Sequence, residues 1–434
     1  MRIILLNLPV HLPTMMPYSI TMMKALFSSS LQDTVKVLDL NAEYHYNEYK
    51  EYYNRINREP YFVLLDEFIK ETRRRYQIIS KSAVSGEKPK GHEYLIKQIE
   101  NEKPDIVCIS LVYNSQVFFA KGIIDDLTKK GIKVVIGGPA DKSIIKGKAV
   151  VLQSYHELLA YLSNAETKKP VLDFSDYKHY FTKDTIYPLR TSISCAYKQC
   201  VFCTHHGNLS YEQLDLSNIK QSIIKNNMKK IFFIDDDFTL PRLEELADLL
   251  MPLNVKWWCQ LRPLKGVIPL LPKLKKSGLY SAAWGIESGC QRILDFMNKG
   301  TKIKEIEQVL KKSNELGIKN MVYILFGFPT ETKQEFMQTI EFLHKNKDYI
   351  DLVSPTIFGV QKGSKIFENP DKYGIKISSQ KRTLLGEKLN YMVENGLTHK
   401  EVKVLKKTYL NQIEKIDKVP KIIKTCKEQI LNMD

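Results

Sequence analysis

Cys195, Cys200 and Cys203 place three of the chain's seven cysteines in one nine-residue stretch, Cys195-Ala196-Tyr197-Lys198-Gln199-Cys200-Val201-Phe202-Cys203. Three thiolates on a short irregular loop can each take one iron of a 4Fe-4S cluster, because soft sulfur ligands suit that metal unit and such a loop costs little to wrap. The fourth iron would stay open. A ferredoxin needs a fourth cysteine close by, and the next one here is Cys259. The alternative is a structural zinc site, with His205 or His206 as fourth ligand. A disulfide is disfavoured, since the start of the chain shows no small-residue cleavage site and so no secretory context.

The elements that must hold this loop are strands. Pro188 to Ser194 reads as a strand ending at Cys195, followed by apolar runs at 230–235, 255–261, 280–286, 320–326 and 352–357 with helical stretches between them. Six strands with intervening helices suggest a partial (β/α)6 barrel, in which chemistry gathers at the carboxyl ends of the strands. Polar residues stand at those ends: Asp235-Asp236-Asp237, Gln260-Leu261-Arg262, Gly285-Ile286-Glu287-Ser288-Gly289 and Gly327-Phe328-Pro329. The three aspartates exceed what capping the helix that starts near Pro241 requires.

Upstream, apolar runs at 3–8, 35–40, 106–111, 133–136 and 149–152 alternate with helical stretches, including a long Tyr-rich segment from 44 to 102. Continuous apolar strands of this kind indicate a doubly wound parallel sheet, with ligands bound outside the carboxyl ends of the strands. The expected organisation is therefore α/β: a Rossmann-like domain over 1–166, a linker over 167–187, the partial barrel over 188–370 and a Lys-rich helical region over 371–434.

The length of 434 residues allows two or three domains, and no apolar run approaches the 18 residues of a membrane span. A cytoplasmic protein without a membrane partner is expected. The formal charge of +16 favours an acidic peptide or a phosphorylated or carboxylated small molecule as substrate, but the lysines are dispersed and solvated faces explain them equally well.

With these motifs in view the chain resembles the radical S-adenosylmethionine superfamily, in the branch that carries an N-terminal cobalamin-binding-type domain. The resemblance covers about residues 1–370 and is closest over 188–335. It implies that Cys195, Cys200 and Cys203 ligate a 4Fe-4S cluster, with Phe202 as the aromatic before the last cysteine, and that the open iron chelates S-adenosylmethionine. The family spacing of three residues then two is four then two here, an insertion that a loop bulge absorbs. The resemblance further implies that Asp235, Asp236, Asp237 and Glu287 contact the cofactor's amino group or ribose, and that Gly327 lies near its adenine. Reductive cleavage to a 5'-deoxyadenosyl radical follows, with an electron donor such as flavodoxin or ferredoxin as partner.

In methyltransferases of this branch cobalamin supplies the methyl group, and here Gly137-Gly138 and Tyr113-Asn114 are the residues that would contact it. The Asp-x-His-x-x-Gly motif of cobalt-ligating histidines is missing, and His11 is the histidine of the first strand's loop. The expected function is cobalamin-dependent methylation of an unactivated carbon. The alternative is a cobalamin-independent radical epimerase, cyclase or rearrangement enzyme acting on a peptide or small metabolite, with Cys259 or Cys290 returning a hydrogen atom. Nucleic acid is not an expected partner. The relatives that methylthiolate transfer RNA carry three cluster cysteines in their N-terminal domain, and residues 1–190 here hold only Cys108.

Overall fold

The apolar runs of the first half become five strands, β1 (Arg2–Asn7), β2 (Thr34–Asp39), β3 (Ile106–Ser110), β4 (Lys133–Gly137) and β5 (Val150–Val151). This computed structural model describes residues 1–30, 33–145, 147–162, 170–205, 210–383 and 386–433. The five strands pair in parallel in the order β2-β1-β3-β4-β5. Ile3 to Leu6 have no exposed surface, as a strand covered on both faces requires. Helices α1 (Tyr18–Ser30), α2 (Leu40–Glu48), α3 (Lys50–Tyr53), α4 (Tyr61–Ser85), α5 (His92–Asn101), α6 (Asn114–Lys129) and α7 (Tyr155–Leu162) connect them. Along α4, Leu64, Leu65, Phe68, Ile69 and Thr72 form a buried stripe at helical spacing, and Gly86 ends the helix in the left-handed conformation. The strand order reverses between β1 and β3, so the crevice at their carboxyl ends is the ligand position of a sheet with this order.

The chain divides into two compact units, Met1–Thr185 with Ser217–Asn227 and Arg382–Glu387, and Ile186–Leu216 with Met228–Lys381 and Lys388–Asp434. The expected linker over 167–187 does not stand apart: its described residues up to Thr185 belong to the first unit. Phe181 donates its N–H to Pro13 O at 2.8 Å and stacks on Phe68 at 3.9 Å, while the Tyr177 and Thr21 hydroxyls meet at 2.7 Å. Aromatic residues bury here one at a time, so no periodicity announces it.

In the second unit β6 (Tyr187–Leu189), β9 (Lys230–Phe233), β10 (Lys256–Leu261), β11 (Leu279–Glu287), β12 (Lys319–Phe326) and β13 (Leu352–Ile357) pair in parallel in that order, with β6 and β13 at the edges. This is the expected partial barrel. Trp257, Trp258, Trp284, Phe233 and Phe326 are fully buried in it. The first barrel strand is shorter than the expected span Pro188 to Ser194 and ends at Leu189. Beyond Leu189 the chain leaves the sheet, and Ser192–Ile193 (β7) pairs antiparallel with Glu212–Gln213 (β8). Just beyond Leu189, Thr191 and Ser192 donate to the Asp235 carboxylate instead of to a neighbouring strand.

The region over 371–434 is not wholly helical. Ile375–Thr383 (β14) and Gly386–Val393 (β15) form a two-stranded sheet, and helix begins at His399–Glu414 and continues in short 3-10 turns at Lys421–Lys424 and Lys427–Asn432. Leu389, Tyr391 and Val393 alternate, and that period of two packs them with Ile375 against Phe328 and Phe358. Among the described residues no helix is long and apolar enough to cross a membrane.

Candidate functional site

Cys195, Cys200 and Cys203 are free, half-buried thiols on the loop after β7. Ser194 and Lys198 take positive φ values of 65° and 51°, which curl the loop tightly. A second turn holds it in place. Val201 donates its N–H to Met297 O at 3.0 Å, Tyr197 Oη donates to Asn298 O at 2.9 Å, and Asn298 Nδ2 donates to Gln199 O at 3.2 Å. Gly300 is required there, since its φ is +70° and a Cβ would lie 2.4 Å from Tyr197 Oη. Burial pushes the Cys200 thiol up to about 11, opposed by Lys299, and raises Cys203 as well. Such thiols become thiolates when a metal replaces the proton.

Among the described residues no three His, Cys, Asp or Glu side chains are placed to hold a single ion. A tetrahedral zinc site needs that convergence, whereas in an iron-sulfur cluster each thiolate meets its own iron. His205 Nε2 lies instead 3.2 Å from Asp236 Oδ1, and His206 lies outside the described residues. Arg190 Nε and Ser194 Oγ, on the segment entering the loop, are buried with no hydrogen-bond partner among the described residues. Buried polar atoms of this kind are costly unless a bound group supplies the partner.

The three aspartates separate into three roles. Asp235 is fully buried and accepts from Thr191 N–H at 2.9 Å, Thr191 Oγ1 at 2.8 Å and Ser192 Oγ at 2.8 Å. Burial raises its carboxyl and these donors oppose the shift, so Asp235 is a latch on the loop's entry rather than a cofactor contact. Asp237 is also taken, accepting from Arg262 Nε at 2.7 Å and Arg262 N–H at 3.2 Å. Asp236 alone keeps an exposed face, flanked by Arg190 at 3.5 Å and by His205. None of them caps the following helix. Thr239 does, accepting from Arg242 N–H.

Glu287 ends β11 with a φ of +70° and meets Lys299 Nζ at 2.9 Å. Gly327, with a φ of +74°, packs where a Cβ would lie 2.7 Å from Val402, and its N–H donates to Glu331 Oε2 at 2.6 Å. Its conformation therefore serves the helix His399–Glu414 and Glu331. Glu331 is fully buried, which pushes its carboxyl up to about 8, although the Gly327 N–H pulls the other way. Cys259 is wholly buried, and Cys290 packs in the core with Val201 and Phe328, its Sγ donating to Glu335 Oε1 at 3.6 Å.

At the carboxyl edge of the first sheet, Gly138 adopts a φ of +101°, and a Cβ there would lie 2.3 Å from Leu111 O. The missing side chain admits the neighbouring backbone, not a ligand. Gly137 has no such constraint, its Cβ position being 3.5 Å from Leu152 O. Asn114 Oδ1 accepts the Asp141 N–H at 2.8 Å and so joins the loops after β3 and β4. Tyr113 is half-exposed, with its ring 4.9 Å from that of His11. Burial holds His11 below its ordinary range, hence neutral at pH 7, and its Nε2 lies 3.1 Å from Asn7 Oδ1. These rings stand at the β1/β3 switch point.

Residues 190–343 match the family described as the Radical SAM superfamily. This stretch resembles a radical SAM domain. The family implies a 4Fe-4S cluster and S-adenosylmethionine. An uncharacterized methyltransferase of Pyrococcus horikoshii is 28% identical over 193 residues, which take in 41% of this chain and 40% of the relative. A bacteriochlorophyllide d C-12(1)-methyltransferase of Chlorobaculum tepidum is 26% identical over 160 residues, 34% of this chain and 35% of the relative. The matched regions thus span well under half of these curated relatives. Among solved structures, the cobalamin-dependent S-adenosylmethionine radical enzyme OxsB with aqua-cobalamin bound aligns with a TM-score of 0.64 at 14% identity, covering 91% of this chain and 64% of that one. The radical S-adenosylmethionine methyltransferase TsrM of Kitasatospora setae aligns with a TM-score of 0.61 at 13% identity, covering 87% and 77%. Both share the fold with this chain.

Beside the loop, Arg262 stands at a strand end that the sequence marked as polar, whereas Lys299 carries a buried ion pair with Glu287 that no sequence motif marked. Arg262 stacks its guanidinium 3.7 Å over the Tyr197 ring. Lys299 sits between Asn298 and Gly300 in a non-periodic turn, where the only signal was that glycine.

Proposed function

We propose that the chain is a radical SAM enzyme that binds cobalamin and methylates an unactivated carbon. The observation that carries the radical reading is the three-cysteine loop fixed at the strand ends of the matched domain. Cobalamin is supported by the β2-β1-β3-β4-β5 order with His11 and Tyr113 at the switch point, and by the likeness to OxsB and TsrM. When bound, these groups supply one-electron cleavage of S-adenosylmethionine to methionine and a 5'-deoxyadenosyl radical, together with a transferable methyl group.

The chain's own residues bind and orient. Cys195, Cys200 and Cys203 hold the cluster; Asp236, Arg190 Nε and Ser194 Oγ offer the polar contacts left for S-adenosylmethionine. Tyr113 and the neutral His11 present ring faces to the corrin, with Asn114, Gly137 and Gly138 shaping the backbone beside them. A small one-electron protein such as flavodoxin or ferredoxin serves as donor, and the charge of +16 favours an acidic substrate.

The test is anaerobic reconstitution with iron, sulfide and hydroxocobalamin, followed by assay for 5'-deoxyadenosine and S-adenosylhomocysteine. Both products together with corrinoid absorbance are expected. Deoxyadenosine alone replaces methylation with a rearrangement or epimerisation, and stoichiometric zinc without acid-labile sulfide overturns the radical reading.

A further inference from the structure

Lys299 is an ammonium with 8% side-chain exposure in the second unit, and its surroundings are specific. Its Nζ lies 2.9 Å from Glu287 Oε1 and 5.9 Å from the centroid of the Phe202 ring. Gly285 makes the space, since a Cβ there would sit 2.8 Å from Nζ. Burying an ammonium is costly unless it is paired, and one carboxylate oxygen supplies the pair. Burial pulls the lysine down while Glu287, then Cys200, push it up to about 12, so it stays charged.

The turn that carries Lys299 is the same turn that clamps the cysteine loop. Met297 O, Asn298 O and Asn298 Nδ2 take the bonds from Val201, Tyr197 and to Gln199 described above. The charge is therefore fixed relative to the loop that carries Cys200, against the Phe202 ring. Arg262, the next cation, is held by Asp237 over the Tyr197 ring.

We propose that the Lys299–Glu287 pair is a positioning device that sets the reduction potential of the cluster on Cys195, Cys200 and Cys203. This rests on the radical reading given above. Reduction by one electron from the donor protein adds one negative charge to the cluster, with no bond made or broken. A fixed cation against Phe202 of the cysteine loop favours that reduced state, and the Glu287 carboxylate limits the effect. The two members of the pair thus act in opposite directions.

That opposition gives the test. The full chain and the variants Lys299→Met, Lys299→Arg and Glu287→Gln are reconstituted anaerobically, analysed for iron and acid-labile sulfide, and titrated with dithionite under electron paramagnetic resonance without S-adenosylmethionine. Lys299→Met is expected to lower the midpoint potential and Glu287→Gln to raise it, each by a roughly tenfold change in the reduced-to-oxidised ratio, about 59 mV for one electron. Lys299→Arg should stay close to the unmodified chain. Loosened packing moves both variants the same way, so shifts of the same sign, or no shift in cluster-loaded protein, overturn the proposal. If Lys299→Met does not load a cluster, Glu287→Gln decides by the sign of its shift. An unmodified chain that takes up no iron and sulfide overturns the radical reading and this inference with it, whereas loaded protein with unmoved potentials overturns this inference alone.

Discussion

At the carboxyl ends of β9 to β11 most charged side chains that the sequence offers for chemistry are held by partners within the protein, whereas at the carboxyl ends of β1 and β3 the rings of His11 and Tyr113 lie partly open. Asp235 latches Thr191 and Ser192, Asp237 holds Arg262, and Glu287 holds Lys299. The difference is one of task. A loop of three thiols needs a rigid, charge-compensated frame, because a buried ion without a partner would destabilise it by several kcal/mol. An edge that takes a large planar ligand needs shape and exposed ring surface more than charge.

The contrast breaks most completely at the loop. Cys200→Ser is expected to abolish iron and sulfide uptake and reduce deoxyadenosine formation to background, while corrinoid binding by the first unit persists; parallel iron analysis and visible absorbance check both. Asp235→Ala should destabilise the second unit by about 3 kcal/mol, because it strands the buried Thr191 N–H and two hydroxyls. Asp236→Ala should change stability by no more than about 0.5 kcal/mol and weaken S-adenosylmethionine binding instead. Urea unfolding and calorimetric titration separate the pair. If the two variants behave alike, the division between latch and contact fails.

Gly138→Ala transfers the test to the first unit and is expected to cost about 2 kcal/mol, from its positive φ and the clash with Leu111 O. Glu331 contributes a pH dependence. Its carboxyl is raised from 4.5 to about 8 in the folded chain. Between those values the unfolded chain ionises while the folded chain stays protonated, so stability falls as pH rises, by about 1.4 kcal/mol per pH unit, and levels off above pH 8. Glu331→Gln should flatten that slope in melting temperatures recorded from pH 5 to 8. The smallest effect on stability is expected at Tyr113→Ala, within about 0.5 kcal/mol, with a roughly tenfold loss of cobalamin affinity by absorbance titration. Unchanged affinity would remove Tyr113 from the cobalamin edge.

Most of the architecture was legible because it rests on local signals. Continuous apolar runs marked the strands of both sheets, and turn residues marked their ends. The misreadings share a cause: where burial comes from distant partners, local periodicity is silent. Phe181 stacks on a residue far upstream, Thr191 just beyond the first barrel strand donates to Asp235 44 residues away, and β15 packs its alternating Leu389, Tyr391 and Val393 against Phe358.

The site divides along the same line. From residue types and spacing alone came the three-thiol loop, the polar strand ends and the glycine turn after β4, because metal-ligand chemistry and backbone freedom are properties of the residues themselves. Only the tertiary structure decided which carboxylate is a latch, which is paired and which stays open, and that Lys299 pairs with Glu287 against Phe202 of the cysteine loop. A buried charge is defined by the partner that compensates it, and that partner is found by folding, at a separation no sequence period encodes.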